Sequence, residues 1–92
     1  MRMMLAGFAV LLAAVTLEAA NTVAYAQSCE ALWVERNSMY KRAGYCFKTT
    51  RAISYFGNAG CTYDNEARVP LSRGERARVA RITRLERNLG CN

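Results

Sequence analysis

The chain has 92 residues, with 13 Lys or Arg against 7 Asp or Glu and no histidine, giving a net charge of +6. That balance favours anionic partners and removes the commonest general base and metal ligand. The four cysteines are widely spaced with no CxxC pair, which points away from zinc and towards two disulfides, so no metal or cofactor is expected.

Residues 1–26 read as a secretory signal peptide. Arg2 supplies the positive start, Met3 to Val15 the apolar run, and Ala24-Tyr25-Ala26 the small residues of a cleavage site before Gln27. The apolar run stops near Leu17 and Glu18 follows, short of the roughly 20 residues a membrane span needs. Ala26, Gln27 and Ser28 precede Cys29 without the pattern of a lipoprotein site. The remaining residues, 27–92, form one domain, and the charge stays at +6 because Arg2 and Glu18 leave together. A domain this small has little core and commonly needs covalent staples. Export to the periplasm or beyond supplies the oxidising setting in which disulfides persist. It also removes nucleic acid as the polyanion.

Ser28 can cap a first helix running to about Ala43, with Glu30 in its first turn and Gly44 as its stop. At about 100° per residue, Cys29, Leu32, Trp33, Met39, Tyr40 and Ala43 share an arc. Arg36 falls in the middle of that arc, where an unpaired charge is costly. Thr49 or Thr50 can cap a short helix, Arg51 to Phe56, ended by Gly57-Asn58-Ala59-Gly60. Cys61 to Pro70 has turn formers and no periodicity, and reads as a loop. Ser72 followed by Glu75 is a capping box that opens a last helix, Arg73 to about Leu89, with Gly90 beyond it.

The last helix carries an apolar stripe of Val79, Ile82, Leu85 and Leu89. Arg73, Arg76, Arg81, Arg84 and Arg87 project from the opposite face, a candidate anion-binding surface because guanidinium forks suit phosphate and carboxylate. Arg78, Glu75 and Glu86 fall within the apolar arc. Pairing of Arg36 with Glu75 or Glu86, helped by Asn37, would resolve the charges placed on both packing faces. Four cysteines permit three connectivities. The preferred one joins Cys46 to Cys61 across a short loop and Cys29 to Cys91 across the whole domain.

Catalysis finds little support in these residues. The acids are dispersed or helix-bound, and Asp64 and Glu66, with Tyr63, are the only close set in a loop. Trp33, Tyr40, Tyr45, Phe47, Tyr55 and Phe56 could form a sugar-stacking platform, but in so short a chain they are first the core.

Leu32-Trp33, Arg36-Asn37, Tyr40, Arg42, Gly44-Tyr45, Phe47, Tyr55-Phe56, Tyr63, Leu71-Ser72 and Glu75, in this order, resemble the YARHG domain. The resemblance covers nearly all of residues 27–92. The signature itself reads Tyr40-Lys41-Arg42-Ala43-Gly44, with Lys41 in place of alanine and Ala43 in place of histidine. It implies a small exported domain of the bacterial envelope and names no substrate.

The expected fold is thus mainly α: a small disulfide-stapled domain with two longer helices, one short helix and a connecting loop. The expected function is non-enzymatic binding of an anionic envelope component. The alternative is a proteinaceous inhibitor or accessory factor that docks on an envelope enzyme through Tyr63 to Arg68.

Overall fold

The computed structural model describes residues 28–91; the expected signal peptide and its cleavage point lie outside them. Three α-helices form where cap residues and apolar spacing coincide. The first, α1 (Cys29–Arg42), starts at Ser28, whose Oγ accepts from the Ala31 amide at 3.1 Å. The second, α2 (Thr50–Phe56), is capped by the Thr49 hydroxyl, which accepts from the Ala52 amide at 3.2 Å. The third, α3 (Arg73–Asn88), opens on a complete capping box: Glu75 N donates to Ser72 Oγ at 3.1 Å and Ser72 N to Glu75 Oε1 at 2.9 Å. Each boundary lies within one residue of the sequence expectation.

The capping box supplies a first prediction. Ser72→Ala removes the acceptor for an otherwise orphaned amide and costs about 1 kcal/mol in urea unfolding. The hydrogen bonds from Ser72 hold the Glu75 carboxyl below its ordinary pKa. A carboxylate depressed in this way stabilises the fold above its unfolded pKa and loses that contribution as pH falls through the folded value. The stability gap between wild type and Glu75→Ala should therefore be widest near neutrality and close on acidification. A gap independent of pH would remove the carboxylate from this role.

Helix α1 is the hub. It packs on both α2 and α3, which do not touch each other. The Cys29–Cys91 disulfide places the start of α1 beside the end of α3, so the two long helices run antiparallel. Their shared core contains Leu32, Met39, Val69, Leu71 and Ile82, with Met39 and Val69 wholly enclosed, and it continues through Phe47 and Ala52.

Among the described residues α1 is the one helix packed on α3, and the expected apolar stripe is buried only in part. Ile82 is buried and Val79 packs against the core, but Leu85 is 36% and Leu89 50% exposed.

The segment from Cys61 to Pro70 is more ordered than the expected loop. Tyr63 forms an isolated parallel bridge with Tyr45, Cys46 N donates to Tyr63 O at 2.8 Å, and Glu66–Arg68 make a 3-10 turn capped by Asn65. Gly44 is the pivot of this junction. Its φ of 93° is the left-handed conformation that L side chains rarely adopt, and its carbonyl accepts from both Thr62 N and Tyr63 N. The second disulfide, Cys46–Cys61, lies beside these bonds and fixes the same crossing.

Candidate functional site

Charge is distributed unevenly over this scaffold, and tracing each acid shows why. Arg36 Nε donates to Glu86 Oε1 at 2.7 Å and its Nη2 to Oε2 at 3.1 Å, a forked pair bridging α1 and α3. Arg78 pairs with Glu35 across the same helices, Arg51 of α2 with Glu30 of α1, and Lys48 with Asp64. Two acids remain among the described residues. Glu75 is held in the capping box, so it is not the partner of Arg36. Glu66 lies near the Tyr40 phenol, which is raised above its ordinary pKa by burial first and by this carboxylate second. Asn37 does not support the Arg36 pair either, since its Nδ2 donates to Trp33 O at 3.0 Å.

Among the described residues no acid is left for the outer face of α3. Arg73, Arg81, Arg84 and Arg87 are exposed, and none is in an ion pair among the described residues. From Arg73 to Arg87 the row extends about 21 Å at the helical rise. Arg76 departs from the expected face: its Nη2 donates to Val69 O at 2.9 Å, tying α3 to the segment before it. The sequence signal for that departure was weak, because an arginine at the first turn of a helix can reach back to an uncapped carbonyl as readily as outward.

The aromatic residues form a connected group, mostly within the fold. Phe47 stacks on Phe56 at 5.2 Å between centroids, Tyr45 meets Phe47 and Tyr40 edge-on, and Trp33 contacts Tyr55 and Phe56. The Arg51 guanidinium lies 3.8 Å from the centre of the Trp33 ring. That covers one of the faces a stacking ligand would use. Trp33, Arg36, Asn37, Tyr45 and Phe47 line a groove of about 300 Å³ together with Lys48 and Glu66. Its polar members are largely engaged in the bonds already described.

A second cleft, about 330 Å³, is lined by Thr62, Tyr63, Asp64, Asn65 and Arg68. Glu66 lines the other groove, so the two loop carboxylates do not converge on one space. Sequence reasoning missed two contributors nearby. Asn58 acts as a surrogate strand, accepting from Phe47 N at 2.7 Å and donating to Phe47 O at 3.0 Å, and Lys41 Nζ donates to Gly57 O at 3.0 Å. A side chain that substitutes for backbone pairing leaves no periodic trace.

Among the described residues no group of His, Cys, Asp or Glu is arranged to hold a metal ion, and no helix is long and apolar enough to cross a membrane. In comparisons with known proteins, the family model described as the YARHG domain matches residues 8–87. No curated protein and no solved structure matches.

Proposed function

The chain belongs to the YARHG domain family, and from that premise we propose that it is an exported, non-enzymatic binding module whose α3 arginine row engages an anionic component of the cell envelope. The observation that carries this reading is the segregation of charge. Four ion pairs consume acids on or beside α1 and its neighbours, while among the described residues Arg73, Arg81, Arg84 and Arg87 stand without one on the outer face of α3.

Chemistry follows from that arrangement. A row of guanidiniums on one rigid helix meets a repeated negative charge better than a single small anion, because each fork finds its own phosphate or carboxylate. The two disulfides fit an oxidising, extracytoplasmic setting. Arg76 is occupied by Val69 O, so the face is tested without it.

Binding to an immobilised anionic glycan and to anionic lipid is expected to weaken as salt rises. Replacing Arg81, Arg84 and Arg87 together by glutamine should lower affinity at low salt by about a hundredfold, taking about 1 kcal/mol for each cation at an anionic surface. Unchanged affinity for both matrices would move the site elsewhere.

A further inference from the structure

Arg81, Arg84 and Arg87 recur at every third residue of α3, exposed and without an ion pair among the described residues. Each such step advances about 4.5 Å along the helix and turns about 60° back around it, so the trio crosses the outer face as a diagonal about 9 Å long. Arg73 stands apart, about 12 Å nearer the start of the helix. From this layout we propose that the anionic component is a flexible linear polymer with a phosphate in each repeat, lying along α3 and held at the trio and, separately, at Arg73. This rests on the arginine-row reading and names the class of ligand that the row takes.

A flat layer of charge faces one direction, whereas the trio fans over about 120° of arc. Only a chain that turns as it runs brings a charge to each fork. Phosphates carried in a polymer backbone follow such a turn, and their oxygens accept the paired donors of a guanidinium. Carboxylates on the rings of a glycan are spaced by rigid units and do not follow it. Both lysines of the chain, Lys41 and Lys48, lie off α3 and donate to Gly57 O and Asp64 Oδ1. The row is therefore all arginine, the residue suited to forked rather than point contact. Between Arg73 and the trio the middle of the same arc carries Ala77 and Ala80, both exposed, so a polymer can lie close against the helix there. The Cys29–Cys91 bond pins the helix end that bears the trio.

The test titrates the protein recovered after expression of the full chain with polyphosphate of two lengths, one reaching about 9 Å and one beyond about 21 Å. A polyuronate of the longer reach and phosphatidylglycerol vesicles are titrated beside them. Wild type should bind the longer polyphosphate most tightly at equal charge. Arg73→Gln should lower affinity for that chain about fivefold, reduce the slope of log affinity against log salt by about one, and leave the shorter chain unaffected. Replacing Arg81, Arg84 and Arg87 together by glutamine should weaken both lengths. If Arg73→Gln weakens both lengths equally or neither, or if the polyuronate or the vesicles bind as tightly as the longer polyphosphate, the phosphate polymer is overturned while the arginine row stands. If the triple glutamine variant binds every probe as wild type does, the row itself is overturned.

Discussion

Replacing Cys29 and Cys91 together by serine is expected to destabilise the domain by about 4 kcal/mol, the largest effect of any change considered, because this bond closes a loop of sequence separation 62. The corresponding Cys46 and Cys61 variant, with a separation of 15, should lose about 3 kcal/mol. A domain this small has few apolar side chains fully enclosed, so either loss is a large share of its total stability. Urea unfolding of both variants, without reductant and at one protein concentration, checks the order. If the Cys46–Cys61 variant is the weaker of the two, local geometry at the Tyr45–Tyr63 crossing outweighs loop length.

The second large effect is expected at the bridge between α1 and α3. Arg36 and Glu86 have side-chain exposures of 25% and 13%, enough burial that either charge alone is poorly solvated. Glu86→Ala strands the guanidinium on a packing face and should cost about 3 kcal/mol, the low end for a broken buried pair because water still reaches the arginine. Arg36→Met combined with Glu86→Leu removes both charges and should recover most of that loss. Thermal unfolding of the two variants decides the matter. Should the double variant be no better than Glu86→Ala, the pair contributes net stability beyond mutual neutralisation.

What could be read from the sequence was whatever is enforced by near neighbours. Ser28, Thr49 and Ser72 each bond an amide three residues on, so the helix starts were visible from a few letters. Gly44 announced the end of α1 because only its backbone takes φ of 93° without strain. The mainly α class followed from these signals together with the periodic apolar arcs.

The rest depended on which element covers which. Leu85 and Leu89 have the spacing of core residues, but spacing says nothing about whether a second helix arrives to bury them. Arg76 shares an arc with the outward arginines and turns back because Val69 O happens to lie within reach. The Tyr45–Tyr63 bridge joins single residues rather than strands, too short to produce the alternation by which strands are recognised. At the arginine row the sequence placed the cations on one helix face, and Arg76 departs from it. Only the structure shows where each described acid goes, and that accounting turns a charged helix into a candidate surface.

The Cys29–Cys91 bond has a mechanical consequence as well. With their Cα atoms 5.6 Å apart, Cys29 and Cys91 lie at a single pole of the domain. A force applied between these two residues would run through the sulfur bridge and bypass the helices, leaving α1 and α3 unloaded.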